Sequence, residues 1–318
     1  MKKYLITGFS GFVARHFLDH LYDKKEDCEV LGVDVNPPRL DMSRYTDRFG
    51  VDFKQVNLLQ KDEFADIVRE FQPDFVLHLA AFSSVSYSWQ HPTECVLNNT
   101  NIFLNVAEAV RAMDKPCRIL SVGSSEEYGN VDKSQMPLRE DMPLKPVSPY
   151  AAARVSQELL SKVYVDGFGM DIVLTRSFNH FGPYQDDRFV IPSFLKRIMA
   201  IADSGKSEGV IETGDTTIIR DFVDVRDVVR AYYLLLREGE PGEVYNVCGG
   251  KGIALSDLIT EMADILGVTV EGRVNPDFVR PDDNRVVIGS YDKIYNHVGW
   301  SPEISLRQTI SDMIATKE

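Results

Sequence analysis

Short apolar, β-branched runs alternate with amphipathic stretches along most of this chain, and that alternation restricts the fold more than any other feature. Residues 3–7 read as a buried strand and are followed by a helical stretch through about Leu21. Further strands are predicted over 29–34, 53–56, 74–78, 117–122 and 171–176, with helices over 61–71, 92–113 and 149–167 between them. Strands separated by helices of this length specify a parallel sheet covered on both faces. The expected class is therefore α/β, a Rossmann-type doubly wound parallel sheet with a smaller mixed α/β lobe. A dinucleotide domain is predicted over 1–176, with 221–247 returning to it. A substrate lobe is predicted from 177–220 and 248–318. Within that lobe, 179–188 is rich in Gly, Pro and Asp and reads as a loop.

The first strand runs into Gly8, then Gly11 and Ala14, a G-x-x-G-x-x-A spacing. Gly8 permits a tight turn, and Gly11 lets the backbone approach a pyrophosphate at the amino terminus of the following helix. A plain tight turn is the alternative, but the position directly after the first strand favours the cofactor reading. Asp34 closes the second predicted strand. A carboxylate there bonds the ribose hydroxyls of an adenosine and repels a 2′-phosphate, so NAD(H) is the expected cofactor, with NADP(H) possible through nearby Arg39. A solvated acid opening the turn at Asn36 is the other reading of Asp34.

The chain carries a formal net charge of −13 over 318 residues. An acidic surface argues against nucleic-acid and membrane-surface partners, while a local arginine cluster still permits an anionic substrate. Cys28, Cys95, Cys117 and Cys248 are scattered, with no C-x-x-C and no metal-ligand spacing, so reduced thiols and no metal are expected. Met1 leads straight into the first strand, and no apolar run reaches the ~18 residues of a membrane span. A cytoplasmic protein is expected.

The chemistry centres on Tyr150 and Arg154, four residues apart and so on one helix face. A phenol that can give or take a proton stands beside a fixed positive charge. The strand over 117–122 runs into Gly123, Ser124, Ser125 and Glu126, beyond the carboxyl end where a parallel sheet places its ligands. A hydroxyl there can hold a carbonyl oxygen while Tyr150 supplies the proton.

These residues carry a resemblance. The turn at 7–14, the run His78, Leu79, Ala80, Ala81, Asn99 ahead of a long helix, residues 123–129 and Tyr150 are similar to the extended short-chain dehydrogenase/reductases. Residues 176–183, 220–225 and 245–247, with Arg280 and Pro281, extend the likeness over nearly the full length. Within that superfamily the chain most resembles the GDP-4-keto-6-deoxy-D-mannose reductases, which finish GDP-D-rhamnose. The 4,6-dehydratases are the nearest relatives.

The resemblance implies a catalytic set of Ser124, Tyr150, Arg154 and Glu126, with Arg154 in the place of the family's lysine. It implies a cofactor site of Gly8, Ser10, Gly11, Phe12, Val13, Asp34, Asn57, Leu58, Leu79, Ala80, Ala81, Asn99, Val122, Tyr150 and Arg154. Ser84, Ser124, Asn179, Arg220 and Arg280 would meet the substrate, and a guanidinium fork suits a diphosphate. In dehydratases the glutamate matching Glu126 abstracts a sugar proton, yet the reductases carry one too. His180 reads as a structural histidine. The implied activity is reduction of a GDP-linked 4-keto sugar. A dehydratase or C4-epimerase that recycles its own NAD is the first alternative, and a nucleotide-binding protein with little catalysis the second. The helices over 92–113 and 149–167 resemble those that pair across a homodimer, through Val96, Phe103, Val106, Val155, Leu159 and Val163.

Overall fold

The computed structural model describes residues 1–278 and 284–316. Seven strands form one parallel sheet: β1 (Lys2–Thr7), β2 (Cys28–Asp34), β3 (Gly50–Gln55), β4 (Phe75–His78), β5 (Arg118–Ser124), β6 (Asp171–Ser177) and, from much later in the chain, Val244–Val247. The spatial order is β3-β2-β1-β4-β5-β6 with Val244–Val247 at the edge. The order reverses between β1 and β4, the switch point at which doubly wound sheets open a crevice.

Helices cover both faces. Helix α1 (Phe12–Asp23) lies on one face, while α2 (Lys61–Phe71), the short α3 (Val85–Gln90), α4 (Pro92–Arg111) and α5 (Pro149–Phe168) lie on the other side. On the α1 face Phe17, Leu18 and Leu21 pack with Ile6, Leu77 and Leu120 of the sheet. On the opposite face Phe64, Val68, Phe103, Val106 and Tyr164 pack over Leu5, Val76 and Ile119. Sequestering these side chains drives assembly at roughly 25 cal/mol per Å² of apolar surface buried. Ser148 starts α5 because its Oγ accepts the Ala151 N–H at 3.1 Å, and Pro149 follows at the first helical position. Gly169 ends α5 in the left-handed region at φ 68°.

The second part of the chain supplies β7 (Asn179–Phe181), α6 (Val190–Asp203), β8 (Glu208–Thr213), β9 (Ile219–Asp224), α7 (Val225–Glu238), β10 (Val244–Val247, the edge strand above), β11 (Gly252–Ala254), α8 (Leu255–Leu266), β12 (Thr269–Val274), β13 (Val286–Val287), α9 (Asp292–Val298) and α10 (Leu306–Ala315). Strand β9 is central to a small sheet with β7, β11 and β13, and β8 pairs with β12. Ile191, Phe194, Leu195 and Ile198 of α6 pack with Leu258 and Met262 of α8 and Ile310 and Met313 of α10.

Three sequence expectations are corrected here. Residues 179–188 were read as a loop, but Asn179–Phe181 is a strand, paired in parallel with Phe222–Asp224 of β9. Gly and Pro density marks the turn after it and hides three residues whose partners lie forty-three positions on. The return to the large sheet, predicted over 221–247, begins at Val225, because residues 221–224 belong to β9 of the small sheet. The 248–318 stretch does not lie wholly in the substrate lobe. Ile294 of α9 and Trp300 are fully buried in the α1–α7 core of the large sheet, and Trp300 Nε1 donates to Asp227 O at 2.9 Å.

Candidate active site

The turn after β1 is shaped for close backbone approach. Gly8 sits at φ +70°, and a Cβ there would lie 2.8 Å from Ala80 N. Gly11 N–H returns to Gly8 O at 3.1 Å. Below the turn, Thr7 Oγ1 accepts the Ala80 N–H at 3.2 Å and pairs with His78 Nδ1 at 2.9 Å. Burial, with the nearby Arg154 charge, pushes the His78 imidazole down to about 3, so the ring is neutral. Gly11 precedes α1 as its N-cap and supplies no side-chain cap, and the first turn of the helix carries no acidic residue. Its leading N–H groups therefore suit an anionic pyrophosphate. This cradle, open only because glycine lacks a Cβ, fits a dinucleotide.

Asp34 lies at the end of β2. Its Oδ2 accepts the Ser10 N–H at 3.0 Å and its Oδ1 the Asn36 N–H at 2.9 Å. The carboxylate is thus fixed beside the glycine turn, with lone pairs left for a ribose. Arg39 instead pairs with Asp186 at 3.3 Å. Phe12 and Val13 form the first turn of α1, and Leu79, Ala80 and Ala81 follow β4 across the switch point. Asn57 and Leu58 follow β3. Asn57 Oδ1 accepts the Leu59 N–H, and Leu58 O accepts from Asn105 Nδ2. Asn99 uses both ends of its amide on the Phe82 backbone, at 2.8 and 3.3 Å, and so holds the loop after β4.

Tyr150 and Arg154 meet. Arg154 Nε donates to Tyr150 Oη at 3.2 Å, and the guanidinium lies 5.3 Å from the ring centroid. Arg154 is only 5% exposed. Its Nη1 also donates to Val122 O at 2.9 Å and to Gln157 Oε1 at 2.7 Å. Gln157 in turn donates to Ser121 Oγ at 2.8 Å. The cation is therefore built into the joint between α5 and β5. A hydroxyl has one proton and two lone pairs, and Arg154 occupies a lone pair, so the Tyr150 proton stays available to another acceptor.

Ser124 ends β5. Its Oγ accepts the Glu126 N–H at 3.2 Å, which also leaves its hydroxyl proton to donate. Residues 125–128 form a 3-10 turn in which Glu126 is half-buried and Glu127 fully buried. Ser84 caps α3 by accepting the Tyr87 N–H at 3.2 Å. On the lobe side, Asn179 opens β7, and Arg220 on β9 donates to Asn284 O at 2.6 Å. Arg280 lies outside the described residues. His180 stacks on Phe12 at 5.9 Å, and its Nδ1 meets Phe178 O at 3.0 Å. Burial lowers its pKa.

Residues 5–313 match the sequence model of the GDP-mannose 4,6 dehydratase family. The chain belongs to this family. Over 317 residues it is 32% identical to the GDP-6-deoxy-D-mannose reductase of Pseudomonas aeruginosa, covering 100% of this chain and 97% of that protein. The structure of RMD from Pseudomonas aeruginosa complexed with NADPH superposes with a TM-score of 0.86 at 30% identity, over 99% and 98% of the two chains. A UDP-glucose 4-epimerase from Thermotoga maritima, solved with UDP-glucose, gives 0.87 at 27% identity, over 99% and 98%.

Several residues to which the sequence alone gives no role hold the site in place. Thr7 and His78 shape the floor of the glycine turn. Gln157 and Ser121 hold Arg154, and Glu127 holds the Ser124 backbone at 2.7 Å. The Arg-x-x-Gln spacing on one helix face was the available signal for Gln157. Among described residues no cluster of His, Cys, Asp or Glu could hold a metal ion, and no helix is long and apolar enough to cross a membrane.

The geometry predicts a graded mutant series. Tyr150→Phe removes the phenolic O–H expected to supply the proton and lowers turnover by ~100-fold or more. Arg154→Ala removes the buried charge and lowers it by ~10-fold or more, while Arg154→Lys, which keeps the charge, recovers most of that loss. Steady-state kinetics on the three variants checks the order. An Arg154→Ala enzyme with native turnover would remove Arg154 from the site.

Proposed function

We propose that this protein reduces the C4 ketone of a GDP-linked 4-keto-6-deoxy sugar, giving a GDP-D-rhamnose type product, with a nicotinamide dinucleotide as reductant. The observation that carries the reading is full-length similarity to a GDP-6-deoxy-D-mannose reductase at 32% identity, on a site whose Tyr150 proton is left free. When bound, the nicotinamide supplies the hydride. Tyr150 gives its proton to the C4 oxygen as the ketone becomes an alcohol. Ser124 donates to the same oxygen and holds it in place. Arg154 keeps Tyr150 oriented and offers a compensating charge as the phenol loses its proton. Asn179, Arg220 and Arg280 are assigned to the nucleotide diphosphate. Glu126 is assigned to the catalytic set with Ser124, Tyr150 and Arg154.

A second reading, a 4,6-dehydratase, is favoured by the family model and by Glu126 after Ser125. Absorbance and product mass separate the two. With GDP-4-keto-6-deoxymannose the reductase consumes NADH or NADPH in proportion to product, which gains two mass units. A dehydratase consumes none and converts GDP-mannose with loss of water.

For the cofactor, we propose NAD(H). Asp34 is held by Ser10 and Asn36 beside the adenosine site, where its charge repels a 2′-phosphate. Arg39 is turned to Asp186. The NADPH in the Pseudomonas aeruginosa structure makes this a sharp test. Dissociation constants by fluorescence titration will favour NADH, and Asp34→Asn will shift the ratio toward NADPH by about tenfold. Tighter NADPH binding by the native protein would overturn the assignment.

We further propose a two-fold homodimer through α4 and α5. The two helices pack side by side, with Phe103 and Val106 turned into the protein's own core. Leu97, Leu159 and Val163 are each more than half exposed, and these apolar side chains need cover. Light scattering at micromolar concentration gives twice the 35.9 kDa chain mass, and Leu159→Glu with Val163→Glu yields monomer. A native monomer would count against the interface.

A further inference from the structure

Glu127 is a fully buried carboxyl with no assigned role. It closes a capping box with Ser124: its Oε1 accepts the Ser124 N–H at 2.7 Å. Gly123 makes room for it, since a Cβ on Gly123 would fall 2.4 Å from Glu127 Oε1. Its second oxygen, Oε2, is buried and has no hydrogen-bond donor among the described residues. Glu127 and Glu158 of α5 line one small space together with Arg154, Gln157 and Thr175.

Arg176 and Lys162 both bond Glu158, while Arg154 is taken up by Tyr150, Val122 and Gln157. Arg176 of β6 donates to Glu158 twice, from Nε and Nη2, at 2.9 Å each, and Lys162 donates at 2.8 Å. Arg176 Nη1 goes to Glu140 O, and its guanidinium lies over the Tyr128 ring at 4.7 Å. Glu158 is therefore the ionised partner, held low by Arg176 and Lys162 despite its burial. Burial and then the Glu158 charge push Glu127 up. A buried oxygen without a donor, set beside a carboxylate, is stabilised as an O–H.

We propose that Glu127 is a positioning residue that works as the neutral acid: Oε2 donates its proton to the Glu158 carboxylate while Oε1 holds the Ser124 N–H, so the turn presenting Ser124 to substrate is anchored to α5. A single proton is shared between two carboxyls, and the anchor ties the serine to the same helix that carries Tyr150 and Arg154. This goes beyond the reductase reading and borrows from it only an activity readout.

Glutamine is the isostere of the protonated acid, with an oxygen for Ser124 and an N–H for Glu158. Glu127→Gln will therefore keep most of the native kcat, whereas Glu127→Leu will lower kcat by ~10-fold or more with little change in NADH affinity. Infrared difference spectra of native protein minus Glu127→Gln, taken without substrate, will show the C=O band of a protonated carboxylic acid. Stability supplies a third readout. The folded native protein keeps a proton that the unfolded chain releases in the ordinary carboxylate range, so native stability falls as pH rises through that range toward neutrality. Glu127→Gln does not share this loss. The proposal is overturned if Glu127→Gln is as impaired as Glu127→Leu, if Glu127→Leu keeps native kcat, or if the carboxylic acid band is absent. Should native protein turn over no 4-keto sugar, the reductase reading falls, while the infrared and stability results still decide the state of Glu127.

Discussion

In a parallel sheet every strand ends at the same edge, and this one geometric constraint organises the protein. The carboxyl ends of β1, β2, β4, β5 and β6 deliver Gly8, Asp34, Leu79, Ser124 and Phe178 to a single rim. The reversal of order between β1 and β4 opens that rim into a crevice. Both sheet faces are closed by helices, so the rim is where backbone and polar side chains can meet a ligand. The small lobe adds to the rim because β7 leaves the end of β6 directly and pairs with β9.

Arg154 joins this scaffold to its chemistry. A lysine at the position would bring a point charge and three donors; the guanidinium brings a directed fork. Here the fork is spent on Tyr150 Oη, Val122 O and Gln157 Oε1. A buried cation of this kind is tolerated because each of these acceptors compensates its lost hydration. The guanidinium thus keeps a charge beside the phenol and hydrogen-bonds α5 to β5 through Val122 O. The buried Glu127–Glu158–Arg176 group repeats the theme one strand over, where β5, β6 and α5 meet.

Local pattern carried much of the reading. The alternation of strands and helices, the glycine turn and the Tyr-x-x-x-Arg spacing are properties of neighbouring residues, governed by periods of 2 and 3.6 and by the φ freedom of glycine. They were sufficient to name the class and to set Tyr150 against Arg154, which the structure brings together at 3.2 Å. Asp34 meets Ser10 across the β1–α1–β2 unit, where the end of β2 lies beside the glycine turn.

Tertiary structure decided what depends on distant partners. Asn179–Phe181 is a strand because β9 lies beside it, and Trp300 enters the large core because α7 offers a carbonyl and an apolar face. Glu126 and Glu127 are indistinguishable as a pair of adjacent acids, yet the 3-10 turn leaves one half-buried and seals the other against Glu158, thirty-one positions on. The sequence by itself determined the strand–helix alternation, the glycine turn and the phenol–cation pair, because each is written within a few residues. Packing decided which carboxyl is desolvated and which acceptors the buried Arg154 meets, because burial is set by the sum of neighbours that no short stretch of sequence contains.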